Sequence, residues 1–296
     1  MLSKIYFTLT CFTLLSLMSC NKDDEENKPT AQIINNAGTQ NIFHNDITRT
    51  YDLYVPSSYD PTVAASVVFT FHGFGGDAAA FLEETNLKTI AEANNIILIS
   101  PQGSLLDGSP HWNTCPLGGD NKSDADDFGF IETLLNELKS QYSIDANKVY
   151  AVGYSNGGMM SYGLAHHKSE LFAAVGSVSG TMLDCYGPPS HPMPVIHLHG
   201  TNDYVIPYNG SEYYQSTRDV LNYWTNFNQN DSIANVTEDN NIERYIYTGG
   251  NKGVNVEHYK YKNGNHVWFN STFNGKNSGA LIWDFFSRYD LNGKIE

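Results

Sequence analysis

Residues 147–158 read Lys-Val-Tyr-Ala-Val-Gly-Tyr-Ser-Asn-Gly-Gly-Met. A β-branched and aromatic run, Val149-Tyr150-Ala151-Val152, flows into Gly153-Tyr154-Ser155-Asn156-Gly157, and helix-compatible residues follow from Met159 to His167. The pattern is strand, G-x-S-x-G, helix, a sharp turn that holds a serine out at the end of a strand. A serine hydroxyl is a weak nucleophile unless it is exposed beside a base. Gly153 and Gly157 leave room where strand and helix backbones would otherwise meet side chains. The N-terminus of the next helix favours developing negative charge. If Ser155 is a nucleophile, the rest of the chain must supply a base, an orienting acid and an oxyanion hole.

The surrounding pattern is suited to that turn. Arg49–Val55 alternates and stops at Pro56, and Ser66–Phe71 and Ile96–Ser100 are apolar runs, so three early strands are predicted. Ala78–Ala93 reads as one helix, with Phe81, Leu82, Leu87 and Ile90 at helical spacing. Phe128–Tyr142 reads as an amphipathic helix whose apolar face is Phe130, Ile131, Leu134, Leu135 and Leu138. Phe172–Val178, Val195–Leu198, Ile242–Tyr247 and Val256–Tyr261 read as strands, and Tyr213–Phe227 and Leu281–Tyr289 as helices. Strands alternating with helices imply an α/β fold, a mostly parallel sheet flanked by helices on both faces. Residues 31–296 are long enough for one large domain of this kind, and no internal repeat or Ser/Thr/Pro-rich linker divides them.

In a strand-turn-helix hydrolase scaffold the triad runs Ser, then Asp or Glu, then His along the chain. Asp203 fits the acid, because His199-Gly200-Thr201-Asn202-Asp203 lies just past the strand Val195–Leu198, where ligand-facing residues collect. Asp184 is the weaker competitor. His266, in Asn263-Gly264-Asn265-His266-Val267-Trp268, follows the strand Val256–Tyr261 and precedes the last helix, as the base should. Most of the other nine of the ten histidines fall in the wrong place. His72-Gly73-Phe74-Gly75-Gly76 follows an early strand, where the second oxyanion donor belongs, so the backbone amides of Phe74 and Asn156 are the expected pair. His72 is expected to hold that loop by hydrogen bonds.

Five ordered segments now carry a resemblance. They are His72-Gly73-Phe74-Gly75; Asp126-Asp127-Phe128-Gly129-Phe130; Gly153 through Met160; His199-Gly200-Thr201-Asn202-Asp203 with Val205-Ile206-Pro207-Tyr208; and His266-Val267-Trp268. Together they resemble the secreted poly(3-hydroxybutyrate) depolymerase-like and feruloyl esterases of the α/β-hydrolase superfamily, over most of the folded part. The resemblance implies an α/β-hydrolase fold and the triad Ser155, Asp203, His266, which the residues had already suggested. Gly264-Asn265 replaces that family's Gly-Gly, Trp268-Phe269-Asn270 its Trp-Pro-Gly, and Phe128 a valine. These departures put specificity in doubt rather than chemistry.

The N-terminus is read as a targeting segment. Lys4 is followed by a mostly apolar stretch to Met18, too short for a membrane span, which needs about 20 apolar residues. Leu17-Met18-Ser19-Cys20 resembles a bacterial lipobox, which implies lipidation at Cys20. Residues 1–20 are therefore expected to be a lipoprotein signal peptide, and residues 21–30, rich in Asp and Glu, a flexible acidic tether. Residues 31–296 are the expected catalytic domain. The tether also resembles the acidic signal that sends some Gram-negative lipoproteins to the cell surface, so an outer-membrane or surface location is expected. With Cys11 lost and Cys20 lipidated, Cys115 and Cys185 remain as an even pair in an oxidising compartment, and a disulfide is predicted.

Composition excludes other classes. Net charge is −15 and no basic cluster occurs, so nucleic acid is not an expected partner. Asp124-x-Asp126 opens like a calcium loop, but Phe128 and Leu135 stand where ligands are needed, and a helix N-terminus is the better reading. His197-x-His199 lacks a third ligand at metal spacing and is read as structural. No metal or cofactor is expected. Trp268, Tyr154 and Tyr204 lie beside or near the triad in sequence, Trp112 lies in the loop between the third strand and the Asp126 helix, and all four are candidates for an aromatic substrate rim in a chain that is 13% aromatic. The reaction read from these residues is ester hydrolysis through an acyl-enzyme, on feruloyl or acetyl esters of polysaccharide fragments. The alternatives are a polyester depolymerase, a peptidase of the same fold, and a surface-binding lipoprotein on a hydrolase scaffold. Oligomeric state is not legible.

Overall fold

Val67 to Phe71, Ile96 to Ile99, Val149 to Val152 and Val195 to Leu198 are mostly apolar runs buried on both faces, the mark of central parallel strands. A computed structural model describes residues 37–117, 121–185 and 187–296. The expected signal segment 1–20, its Cys20 and the tether 21–30 lie outside the described residues. The first elements are β1 (Gly38–His44), β2 (Ile47–Tyr54), β3 (Ala65–Phe71), α1 (Ala78–Glu84), α2 (Leu87–Asn94) and β4 (Ile96–Pro101). A small hairpin, β5 (Ser104–Leu106) and β6 (Ser109–His111), precedes α3 (Asp127–Gln141), β7 (Ile144–Tyr154) and α4 (Asn156–His167). Then come β8 (Ala174–Val178), β9 (Val195–Gly200), α5 (Thr217–Asn228), β10 (Asn235–Asp239), β11 (Ile242–Tyr247) and β12 (Val256–Tyr261). The chain closes with α6 (Ser278–Phe286), β13 (Tyr289–Asp290) and β14 (Gly293–Lys294).

Ten strands form one sheet in the order β1-β2-β4-β3-β7-β8-β9-β12-β11-β10. The six from β4 to β12 pair in parallel. The β1–β2 hairpin joins β4 antiparallel, and β11 and β10 finish the other edge antiparallel. Strand alternation divides the core in two. Val67, Phe69, Val149, Ala151 and Val195 pack with α3, α4 and α5, while Val68, Tyr150, Val152, Ile196 and Leu198 pack with α1, α2 and α6. The expected parallel sheet with helices on both faces is what the chain forms. Among the described residues, no helix is long and apolar enough to cross a membrane.

Some boundaries differ from the sequence reading. The helix expected over Ala78–Ala93 is two, because Asn86 turns left-handed at φ 59° and the Thr85 hydroxyl donates back to the Leu82 carbonyl. α5 starts at Thr217 rather than Tyr213, where Ser216 and Asp219 close a reciprocal capping box. α6 starts at Ser278, capped by Asn277, and ends before Tyr289. The edge strand β1 was not anticipated. Its signal was the Asn45-Asp46 turn, both residues at positive φ, between alternating segments.

Candidate active site

The turn at Ser155 is set by backbone crowding. A Cβ on Gly153 would lie 2.1 Å from the Gly157 carbonyl oxygen, and one on Gly157 would lie 2.0 Å from that of Phe71. Only glycine lets α4 start this close to β7 and β3. Ser155 sits between them at φ 55°, ψ −120°, a conformation disfavoured for a residue with a side chain. Its amide donates to the Val178 carbonyl at 2.9 Å, which ties the turn to the end of β8.

The expected base and acid come from two loops laced together. A Cβ on Gly200 would lie 2.2 Å from the Gly264 carbonyl oxygen, so both loop backbones pass in contact. The Asn202 amide donates to that carbonyl at 2.9 Å, the Thr201 amide to the Tyr261 carbonyl at 3.0 Å, and the Asn263 amide to the Thr201 hydroxyl at 2.8 Å. This lacing brings His266 Nδ1 to 2.7 Å from Asp203 Oδ2, and His266 Nε2 to 2.9 Å from Ser155 Oγ. A carboxylate only accepts, so Nδ1 carries the proton and Nε2 is left to accept from the serine. Asp203 Oδ1 accepts the Val205 and Ile206 amides, each at 2.9 Å. Burial by itself would raise the Asp203 carboxyl, but the hydrogen bonds from His199, His266 and the Ile206 amide hold it well below the usual carboxylate range. Asp184 lies elsewhere, accepting from the Gln215 side chain at 2.7 Å.

Asn156 follows the serine in the chain, and Gly73, the neighbour of Phe74, passes close to it: a Cβ there would lie 3.3 Å from Ser155 Cβ. Asn156 opens α4, so its amide has no intrahelical acceptor. Its side chain is clamped to the Trp112 backbone, accepting from the Trp112 amide at 2.7 Å and donating to the Trp112 carbonyl at 3.1 Å. Trp112 Nε1 donates to the His72 carbonyl at 2.9 Å. His72 Nδ1 donates to the Gly73 carbonyl at 2.7 Å and its Nε2 accepts the Gly103 amide at 3.0 Å. The loop carrying Phe74 is thus held by His72 and Trp112 together, and the Phe74 ring is exposed.

The aromatic rim expected from sequence is corrected for two of its four members, Trp112 and Trp268. Trp112 and Trp268 are each only 3% exposed. Trp112 packs edge-on against Phe71, and Trp268 edge-on against Phe81. Both are drawn into the core by apolar neighbours on the sheet and on α1. Tyr154 lies against the His266 ring and donates to the His266 carbonyl at 2.9 Å, so it braces the base loop. Ser179 braces the same loop by donating to the Val267 carbonyl at 3.1 Å. Tyr204 is 84% exposed. The other exposed apolar side chains next to these residues in sequence are Phe74, Val205 and Val267. The signal for them was simple adjacency to Gly73, Asp203-Tyr204 and His266.

Two further expectations concern distant cysteines and acids. Cys115 and Cys185 form a disulfide, Cα to Cα 5.7 Å, joining the Trp112 loop to the loop after β8. Asp126 caps α3 through the Gly129 amide at 3.0 Å, and buried Asp127 pairs with Arg49 at 2.7 Å and accepts the Asn113 amide at 2.8 Å. That pair serves the helix N-terminus and the loop packed on it.

The phospholipase/carboxylesterase family profile matches residues 55–243. Among curated proteins, the chain is similar to a bifunctional acetylxylan esterase/xylanase of Neocallimastix patriciarum, 26% identical over 83% of this chain and 34% of that protein. It is also similar to feruloyl esterase C of Emericella nidulans, 28% identical over 55% of this chain and 57% of that protein. The chain therefore spans less than two thirds of the length of either relative. Among solved structures, an acetyl xylan esterase from Aspergillus awamori superposes with a TM-score of 0.63 at 18% identity, covering 85% of this chain and 99% of that one. A ferulic acid esterase from Anaeromyces mucronatus superposes with a TM-score of 0.52 at 17% identity, covering 86% and 90%. The fold is that of the α/β-hydrolases.

Proposed function

Because this chain belongs to the phospholipase/carboxylesterase family, we propose that it is a serine carboxylic ester hydrolase whose nucleophile is Ser155, base His266 and orienting acid Asp203. The observation that carries this is the continuous line from Ser155 Oγ through His266 to Asp203, at 2.9 and 2.7 Å. Ser155 Oγ attacks the ester carbonyl carbon as its proton passes to His266 Nε2. Asp203 stabilises the imidazolium that forms. The amides of Phe74 and Asn156 receive the oxyanion. Collapse of the tetrahedral intermediate breaks the carbon–oxygen bond to the alcohol, which leaves with the proton from His266. Water then attacks the acyl-enzyme with His266 again as base, and the acid is released.

The substrates are feruloyl or acetyl esters of polysaccharide fragments. The names of the related acetylxylan and feruloyl esterases support that class over a polyester, a peptide or a purely binding role. Phe74, Tyr204, Val205 and Val267 supply an exposed apolar border for the acyl group. The protein works outside the cytoplasm, as the Cys115–Cys185 disulfide supports. Residues 1–20 direct export, Cys20 carries lipid on the outer membrane or cell surface of a Gram-negative bacterium, residues 21–30 tether, and residues 31–296 catalyse.

The full chain, purified in mild detergent, is assayed beside Ser155→Ala on p-nitrophenyl acetate, methyl ferulate, acetylated xylan and a polyhydroxybutyrate film. Ser155→Ala is expected to lose roughly 10⁴-fold or more in kcat. The wild type is expected to prefer methyl ferulate or acetylated xylan. Equal activity in a folded Ser155→Ala protein sinks the mechanism, and preference for the film sinks the substrate class.

A further inference from the structure

His197 and His199 sit two residues apart on β9, and His258 is the register partner of His197 on β12. All three are buried. Three clustered imidazoles suggest a metal site, yet every ring nitrogen is already committed. Tyr162 Oη lies 2.8 Å from His197 Nδ1, and His197 Nε2 lies 3.2 Å from His199 Nδ1. His199 Nε2 lies 2.9 Å from the Ile206 carbonyl oxygen and 3.2 Å from Asp203 Oδ2. His258 spends Nδ1 on the His197 carbonyl at 3.0 Å and Nε2 on the Tyr208 hydroxyl at 2.9 Å.

The direction of this chain follows from its ends. The Ile206 carbonyl and the Asp203 carboxylate only accept, so His199 Nε2 carries the proton. With that proton on Nε2, His199 Nδ1 can accept from His197 Nε2. His197 Nδ1 is left to accept from the Tyr162 hydroxyl. In this orientation every link is satisfied. The hydrogen-bond chain ends with the Nε2 proton on the Ile206 carbonyl and the same nitrogen 3.2 Å from Oδ2 of Asp203, the oxygen that receives His266. The Val205 and Ile206 amides hold Oδ1. A carboxylate gripped at both oxygens cannot turn about its Cβ–Cγ bond without breaking a bond.

Taking Asp203 and His266 as the acid–base pair, we propose that His199 is a positioning residue for them. Through the ordered chain from Tyr162 and His197, it fixes the Asp203 carboxylate in the plane that His266 needs. Gln places its amide nitrogen near the Nε2 position and keeps a donor, while Asn is too short to reach. With p-nitrophenyl acetate and the full chain in detergent, His199→Gln is expected to keep kcat within about threefold of wild type. His199→Asn is expected to lower kcat by roughly 10- to 100-fold with KM within about twofold, because orientation is used in the transition state rather than in binding. Should His199→Asn fail to fold, Tyr162→Phe removes the hydroxyl that orients His197 while keeping the ring. Its kcat is expected to fall about two- to fivefold at unchanged KM, a mild misorientation. Folded His199→Asn protein with wild-type kcat overturns the proposal, as does equal loss in the Gln and Asn variants. Tyr162→Phe with wild-type kcat overturns it in the remaining case. Ser155→Ala, run in parallel, separates the readings: activity surviving there refutes the triad itself, whereas activity lost there with His199→Asn unaffected refutes only the role of His199.

Discussion

Acidification from pH 7.5 to 5 should loosen this fold through its buried histidines. Burial, opposed in part by a bond to the His197 carbonyl, pulls His258 down to about 3. Burial likewise pulls His166 down to about 4. Burial also lowers His197, His72 and His167. In the unfolded chain these groups titrate near the usual 6.5, so below that pH the unfolded state binds protons that the folded state refuses. Stability present above about pH 6.5 is therefore lost as pH falls toward each folded value. For a group whose folded value lies below 5, the drop by pH 5 is about 1.5 pH units at about 1.4 kcal/mol each, or roughly 2 kcal/mol. His258 and His166 together give roughly 4 kcal/mol, and the other three act in the same direction. Asp203, held well below the usual range, and Glu243, held near about 2 by Tyr245, Lys260 and Lys262, stay ionised throughout this window and do not offset it. In a domain of this size about 1 kcal/mol moves Tm by roughly 2–4 °C, so Tm should fall by roughly 8–16 °C. Calorimetric melts of oxidised protein at pH 7.5 and 5, at one ionic strength, test this. A fall smaller than about 3 °C would refute the reasoning, since even one such histidine should produce more.

Reduction of Cys115–Cys185, 70 residues apart in sequence, should cost about 4 kcal/mol by the chain-entropy estimate. Melts with and without reductant measure it, and an unchanged Tm would show that the two loops are held without the bond. Gly157→Ala puts a methyl where the Phe71 carbonyl already lies and should push the start of α4 off β3. At least about 1–3 kcal/mol of stability should be lost, with kcat falling beyond tenfold. Wild-type Tm and kcat in that variant would mean that the turn tolerates a shift the packing argues against.

The α/β-hydrolase fold was legible because its central strands are mostly apolar runs and its strand-turn-helix is written in glycines. Gly153 and Gly157 are local requirements, so the sequence announces them. Ser155, Asp203 and His266 could be picked out for a related reason: each follows a recognisable strand, and chain order restricts the choice. Helix ends were less legible. The break at Asn86 depends on one left-handed residue, and the start of α5 on a capping box that competes with an apolar pattern extending further upstream.

By itself, then, the sequence determined the layered architecture, the order of the candidate catalytic residues and the two cysteines available to pair. Tertiary structure alone decided which aromatic rings face solvent. Trp112 and Trp268 look like rim residues beside the triad, yet strands and helices far away in sequence bury them, while Tyr204 stays out. Tertiary structure also decided the surroundings of Asp203. The His-x-His spacing could be read, but not that His199 reaches Oδ2 or that Gly200 and Gly264 bring the two loops into contact. Spacing along a strand sets the face on which a side chain lies. The meeting of His266 with Asp203 joins segments 63 residues apart, and no local pattern encodes it.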